Sequence, residues 1–330
     1  MLNWTCRKLF VNNLLKFLFM GGIDIKHTTN EVVMVRPKGF FFNAQTAVNN
    51  AYQHNDEADL NEVQKRALEE FNNLSDALKA KGVKVNILED TAEPKTPDSI
   101  FPNNWFSTHE GGIMCIYPMF AENRQMEISK FKEKVVKICK DKAKDEEFFK
   151  IFDYSENHDK NKFLEGTGSI VIDRKNKVAY CSLSPRADKN LFEAWCKDTG
   201  HVGVAFESRQ DGKLIYHTNI VMGIGEKKAI ICLEAVDEKD RQRVKDKLIE
   251  GGNDIVELTL EQTKACAGNT LELMGSDGKS FIVMSKMAYD SLDKNQIKKI
   301  EETTEIVCVD ISTIEYYGGG SARCMIAEIF

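Results

Sequence analysis

The chain has 330 residues, 42% of them hydrophobic and 29% charged, enough to bury a sizeable core without disulfide or metal staples. Forty-five basic against 51 acidic residues give a formal charge of −6, which argues against a nucleic-acid protein, whose electrostatic footprint is a basic face. No stretch reaches the ~18 apolar residues of a membrane span, and with 21 glycines and 6 prolines the composition is neither disordered nor fibrous.

Residues 1–23 carry Arg7, Lys8 and Lys16 and no acid before Asp24. Lys16 interrupts the apolar run 9–20 and spoils it as a signal-peptide core. We read 1–26 as an extension outside the fold and 27–330 as a single domain, since no low-complexity linker divides the rest. A cytoplasmic setting is expected, with a mitochondrial address in residues 1–26 as the alternative.

A short apolar strand is expected at 32–35. Apolar residues at helical spacing (Leu60, Val63, Ala67, Phe71, Leu74, Leu78) predict a helix over 60–81 that stops at Gly82. A strand follows at 83–88, another at 113–117, and a charged amphipathic helix over 122–142. Strands 169–173 and 178–183 flank Arg174-Lys175-Asn176-Lys177 as a hairpin. Helix 188–197 leads to strand 202–206. Strand 216–222 pairs with 228–233 through a Gly-rich turn, before helix 237–250 and strand 255–258. Strands 271–274 and 281–284 form a third hairpin, followed by helix 292–302, strand 306–310 and a last strand over 323–329. Two strands, a helix and another strand thus recur roughly five times, in units of ~50–65 residues, which suggests radial assembly. The doubly wound alternative lacks its signature, because no G-x-G-x-x-G follows any strand.

Nine cysteines (6, 115, 139, 181, 196, 232, 266, 308 and 324) include no C-x-x-C and none at zinc-ligand spacing from a His. Most lie in apolar surroundings, as in Ala-Ile-Ile-Cys232 and Glu-Ile-Val-Cys308, and read as small buried hydrophobes. Cys324 differs: it follows Tyr317-Gly318-Gly319-Gly320-Ser321-Ala322-Arg323, where glycines permit positive φ, close backbone approach and room around the sulfur. A nucleophilic thiol needs a proton acceptor. His217, at the start of an apolar strand, is the candidate, with His109 its rival. Glu165, in Leu164-Glu165-Gly166-Thr167-Gly168, is either a surface loop residue or a buried anion that needs a cation.

These segments, read with Thr28-Thr29-Asn30, the run Phe42 to Asn50, the run Pro97 to Trp105 (PDSIFPNNW), Ser184-Pro185-Arg186-Ala187-Asp188, His217-Thr218-Asn219 and Gly268-Asn269, resemble the guanidine-modifying amidinotransferase and deiminase (pentein) superfamily. The nearest branch is the citrulline-utilisation hydrolases, grouped with the dimethylarginine hydrolases. The resemblance runs over about residues 27–330. It implies an α+β fold, a five-bladed β/α propeller of repeated ββαβ units. It also implies Cys324 as nucleophile, His217 as general acid/base, and Glu165 as the residue that orients His217 and favours its cationic form. Relatives that act on arginine carry acidic residues where this chain has Asn104 and Asn219. A neutral ureido group suits two carboxamides better than a guanidinium cation does. If that register is shifted, Asp98 or Asp188 supplies the missing charge. Arg186, with Asn43 or Thr46, is expected to hold a substrate carboxylate.

The reading is a cofactor-free and metal-free Cys hydrolase of a ureido amino acid, citrulline first. Its partner is a small-molecule amino acid, with no nucleic acid and no membrane, and the sequence is compatible with a homo-oligomer. The alternatives are an arginine deiminase, a dimethylarginine hydrolase, an amidinotransferase, or a propeller-fold binding protein without chemistry.

Overall fold

The computed structural model describes residues 26–143 and 149–330; the extension over 1–26 therefore lies outside the described residues except for Lys26. Five three-stranded sheets organise the chain. In the first, β1 (Glu31–Arg36) is parallel to β2 (Lys84–Glu89), and the far edge of β1 is covered by the antiparallel β17 (Ala327–Glu328). The second holds β3 (Phe106–His109), β4 (Ile113–Ile116) and β5 (Lys150–Asp153); the third β6 (Ile170–Asp173), β7 (Val178–Ser182) and β8 (Val202–Phe206). The two-residue strands β9 (Arg209–Gln210) and β10 (Lys213–Leu214) pair as a small hairpin. The fourth sheet holds β11 (Met222–Ile224), β12 (Lys228–Ile231) and β13 (Asp254–Glu257), and the fifth β14 (Leu271–Met274), β15 (Ser280–Ser285) and β16 (Glu305–Val309). Every sheet has the same internal order, one antiparallel pair and one parallel pair. A parallel pair needs a long crossover. The helices Leu60–Ala80, Glu122–Lys142, Lys189–Thr199 and Glu238–Glu250, and the pair Lys286–Ser291 and Lys294–Glu301, supply the five.

The crossover helices show why the periodic segments were legible. In Leu60–Ala80 the residues Val63, Ala67, Phe71, Leu74 and Leu78 form the buried stripe. Asp59 caps the start, and Gly82 turns the chain at φ +80° where a Cβ would stand 2.2 Å from the Ser276 side chain. The central strands are covered on both faces and read as unbroken apolar runs: Val32 to Val35 are wholly buried, as are Tyr180 and Cys181.

Two predicted strands are shorter than expected. The run 216–222 bends into a helical turn, Thr218–Val221, before the strand begins at Met222, and 323–329 opens with the 3₁₀ turn Ala322–Met325. A short buried apolar run carries no usable period, so strand and helical turn look alike in sequence. What bends the chain at 218 is tertiary: Thr218 Oγ1 donates to Ser169 O and accepts from Ser182 N at 2.7 Å. The strands Phe106–His109 and Lys150–Asp153 and the helices Leu260–Lys264 and Ser312–Gly318 went unpredicted. Asp188 is the side-chain cap of helix Lys189–Thr199, accepting from Leu191 N at 2.9 Å.

Cys308 corrects the cysteine reading. It is exposed on β16, whereas Cys115, Cys139, Cys181, Cys196, Cys232, Cys266 and Cys324 are buried. Cys308→Ser should therefore change stability by no more than about 0.5 kcal/mol. Cys232→Ser places a hydroxyl in a closed apolar cluster and should cost about 1–3 kcal/mol. Urea denaturation of both variants checks the difference.

Candidate active site

The first strand of each sheet is preceded by a tight turn, and each turn carries one of the chemically interesting residues. Asn104 ends the 3₁₀ turn Pro102–Asn104 before β3. Glu165 is the N-cap of Gly166–Ser169 before β6, and His217 that of Thr218–Val221 before β11. Asn269 stands two residues before β14, and Cys324 lies in Ala322–Met325 before β17. The turn Gly166–Ser169 packs on both Pro102–Asn104 and Thr218–Val221, and Pro102–Asn104 packs on Ala322–Met325. Asn269 joins the remaining two: its Nδ2 donates to Asn219 O at 3.1 Å and its Oδ1 accepts from Arg323 N at 3.0 Å.

Glycine permits this convergence. A Cβ on Gly166, which sits at φ +45°, would stand 2.3 Å from Asn103 O. On Gly168 it would meet Asn104 Nδ2 at 2.4 Å and the His217 ring at 2.8 Å. The glycines before Cys324 supply the positive φ and the close approach expected of them, the latter to an aromatic ring. Gly318 and Gly320 lie against the Phe101 ring, where a Cβ would approach to 2.7 and 2.9 Å, and Gly319 is the left-handed cap of helix Ser312–Gly318.

Glu165 is completely buried, so it is the anion that needs a cation. Its Oε2 lies 2.7 Å from His217 Nε2 and 3.4 Å from Arg186 Nη1, and its Oε1 accepts from Phe120 N at 2.9 Å. Burial alone would raise its pKa, but Arg186 and His217 hold it well below the usual carboxylate range. A carboxylate can only accept, so Nε2 of His217 carries its hydrogen and Nδ1 is the basic nitrogen. Burial pulls His217 down to about 4, against the opposing pull of Glu165. Glu165 favours the cation, as expected of it, but burial outweighs that pull and holds the resting imidazole toward its neutral form.

Cys324 is 4% exposed. Two carboxamides point N–H groups at its sulfur: Asn269 Nδ2 at 3.3 Å and Asn219 Nδ2 at 3.4 Å. These donors stand where charge develops when the thiol gives up its proton. Elsewhere, burial pushes the thiols of Cys115, Cys139 and Cys196 up to about 12.

Thr46, Asp98, Asn104, Arg186, His217 and Cys324 line one cavity together with Arg124. Asp98 Oδ2 accepts from Asn43 Nδ2 at 2.8 Å and Thr46 Oγ1 at 3.0 Å, and burial raises the pKa of its carboxyl. Arg186 is not an open fork. Its Nε and Nη2 donate to Asn49 Oδ1, Nη2 also donates to Thr46 O at 2.7 Å, and Nη1 faces Glu165. It holds the N-terminal motif and the buried anion rather than presenting a bidentate clamp. His109 is elsewhere, tilted against Trp195 and edge-on to His201, with Nε2 on Ser107 Oγ.

The sequence reading quoted Asn269 within a motif but gave it no role, and it missed Arg124. Arg124 sits in a charged helix and looks like a solvated surface residue, yet it is 2% exposed and paired with Glu127, which burial raises to about 7. Among the described residues no cluster of His, Cys, Asp and Glu could hold a metal, and no helix is long and apolar enough to cross a membrane.

A family model described as N,N dimethylarginine dimethylhydrolase, eukaryotic, matches residues 36–330. The chain belongs to this family. With it the chain falls in the pentein amidinotransferase and dimethylarginine hydrolase superfamily. No curated protein matches it in sequence. Among solved structures it is similar to the N-terminal domain of ArgZ, an arginine dihydrolase from the ornithine-ammonia cycle in cyanobacteria, captured with substrate as a cysteine-to-serine variant (TM-score 0.69, 16% identity, 90% of this chain and 96% of that one). Full-length ArgZ gives TM-score 0.70 at 16% identity over 91% of this chain, which spans only 41% of that protein. A dimethylarginine dimethylaminohydrolase carrying an adduct with S-methyl-L-thiocitrulline gives TM-score 0.61 at 15% identity, covering 91% and 99% of the two chains.

The site in this dimethylarginine dimethylhydrolase relative yields two expectations. His217→Ala and Glu165→Ala should each lower kcat at least ~10²-fold, and together do less than the product of the two, while His109→Ala stays within a few-fold of wild type. A neutral His217 as base makes kcat/KM flat from neutral pH down to about 5 and falling through about 4 as the imidazole takes its proton. An acid limb near 6.5, the ordinary histidine value, would show that burial does not set its state.

Proposed function

We propose that the chain is a Cys324-dependent hydrolase of a ureido amino acid, citrulline first, that residues 27–330 form one catalytic domain, and that the five sheets are the blades of a propeller. The observation that carries the substrate reading is a pair of unpartnered atoms, one on a residue that lines the cavity with Cys324 and one on the residue whose amide N–H reaches its sulfur. Asn104 Nδ2 and Asn219 Oδ1 are both buried and neither has a partner within the protein. One is a donor and the other an acceptor. A ureido head has a carbonyl to accept and N–H groups to donate, whereas a guanidinium has only donors. Leaving such atoms unpaired is costly, so a ligand that satisfies both is favoured over one that satisfies a single atom.

In this mechanism Nδ1 of neutral His217 takes the Cys324 proton. The sulfur attacks the ureido carbon, and the imidazolium, stabilised by Glu165, returns the proton to the departing nitrogen. His217 then activates water against the thioester-like intermediate. The balance is citrulline and water in, ornithine, ammonia and carbon dioxide out, whichever C–N bond breaks first. The amides of Asn219 and Asn269 stabilise charge on the sulfur. The chemistry asks nothing of a cofactor. The joint presence of thiol, base and buried carboxylate on converging turns favours an enzyme over a binding protein.

A second reading has its own observation. Asp98 Oδ1 is also buried, unpartnered and part of the cavity wall residue set, and a carboxylate is the natural partner of a guanidinium. The structural neighbours named for arginine and dimethylarginine give that reading weight. Steady-state kcat/KM for citrulline, arginine and dimethylarginine separates the two: the ureido reading expects citrulline to lead by more than ~10²-fold. Asn219→Asp should weaken citrulline turnover and tighten inhibition by arginine, because the new carboxylate faces the head group. Asn104→Asp is the poorer test, since Arg124 would neutralise it. A wild-type enzyme that hydrolyses arginine and ignores citrulline would refute the ureido substrate and leave the Cys-His-Glu chemistry standing.

A further inference from the structure

We propose that Arg124 is a specificity-determining positioning residue: it fixes the orientation of the Asn104 carboxamide, so that the group offered to the substrate is an N–H donor. This rests on the ureido reading of the same cavity and says what enforces it.

An asparagine amide is nearly symmetric in shape, and a half-turn about its last bond exchanges donor and acceptor. Nothing in the residue itself chooses between them. At Asn104 the choice is forced by a neighbour that can only donate. Arg124 Nη1 lies 2.8 Å from Asn104 Oδ1, and a guanidinium has no acceptor. The oxygen must face Arg124, which leaves Nδ2 for the cavity, where it has no protein partner.

Arg124 is itself immobile. It is 2% exposed. Nε donates to Glu127 Oε1 at 2.8 Å, and Nη2 faces Glu127 Oε2 at 3.1 Å, Phe101 O at 2.9 Å and Asp98 O at 3.3 Å. The two carbonyls belong to the segment that runs into Asn104, so one guanidinium holds both the backbone and the side chain of this turn. Flipping the amide would set an N–H against the guanidinium and remove the acceptor that Nη1 uses. A ureido carbonyl gains from the enforced donor. A guanidinium meets N–H with N–H. The arrangement is therefore selective as well as structural.

The experiment uses two paired variants, because a lone change would leave one buried charge uncompensated. Arg124→Met with Glu127→Leu removes the donor and replaces the pair with apolar side chains. Arg124→Gln with Glu127→Gln removes the charges but keeps an N–H that can reach Asn104 Oδ1. Citrulline kcat/KM and the inhibition constant of arginine are measured for both and for wild type, with melting curves to show that each is folded. In the Met/Leu variant we expect citrulline kcat/KM to fall at least ~30-fold while the arginine constant moves less than ~3-fold. The Gln/Gln variant should recover at least ~5-fold of the loss. Parallel weakening of citrulline and arginine would overturn the proposal, since it would mean that Arg124 holds a group both share, such as the amino-acid carboxylate. So would a Gln/Gln variant no better than Met/Leu. If only Gln/Gln folds, selective retention of citrulline over arginine in it supports the proposal and parallel loss overturns it. A wild-type preference for arginine is a separate result: it removes the ureido reading, and this proposal with it, before any variant is compared.

Discussion

Everything at this site depends on how closely five backbone turns approach one another. Side chains at the heads of separate sheets can touch only if the chain beneath them has no bulk of its own. Gly166 and Gly168 meet this condition at the middle of the contact, where any Cβ would strike the Asn103 carbonyl, the Asn104 amide or the His217 ring. Gly268 does the same against the Ile220 carbonyl, at 2.6 Å. The repeated ββαβ unit contributes one turn per sheet, and each turn then carries a different group: amide, carboxylate, imidazole, amide and thiol. A repeat that builds the fold thus becomes a set of different groups facing one another.

The cost of such a centre is the burial of charge. It is met by pairing each ion within the protein, since a buried ion without a partner is strongly disfavoured. Glu165 is held by Arg186 and His217, and Arg124 by Glu127. Beneath the turn that carries Cys324, Glu328 lies between Arg174, at 3.3 Å, and Arg323, at 2.7 Å, so the residue before Cys324 is anchored. Against this background the unpaired atoms are informative. Asn104 Nδ2, Asn219 Oδ1 and Asp98 Oδ1 are buried without a partner, and Asn104 and Asp98 line the cavity of Cys324. The balance between the two amides and the one carboxylate is the balance between a ureido and a guanidinium head.

How much of this was legible in the sequence follows from the physics of each signal. The crossover helices were readable because their apolar stripes repeat at 3.6 residues, as in Val63, Ala67, Phe71 and Leu74. The repeat of five followed from counting such units. The helical turns at Thr218–Val221 and Ala322–Met325 were read as strand, since four apolar residues have no period and the bend is imposed by neighbours. Cys324, His217 and Glu165 were singled out through their Gly-rich or strand-edge settings and through family resemblance, and the structure places His217 on Glu165. The reading failed where a role depends on contact alone. Arg124, in a helix full of charge, gives no local sign of burial. Asn269 touches the sulfur across 55 positions of chain. Arg186 was expected to offer its fork to a carboxylate, but the partners that occupy it, Asn49 and Thr46, lie some 140 residues away.

The proposal at the centre is that Asn104 offers a donor and Asn219 an acceptor to a neutral ureido head. A crystal structure of Cys324→Ser with citrulline bound tests it most directly. The account predicts the ureido oxygen within about 3.2 Å of Asn104 Nδ2, a ureido nitrogen on Asn219 Oδ1, and the carbon facing residue 324. A citrulline bound with its nitrogen toward Asn104, or an arginine seated with its guanidinium on Asp98 while citrulline fails to bind, would contradict it.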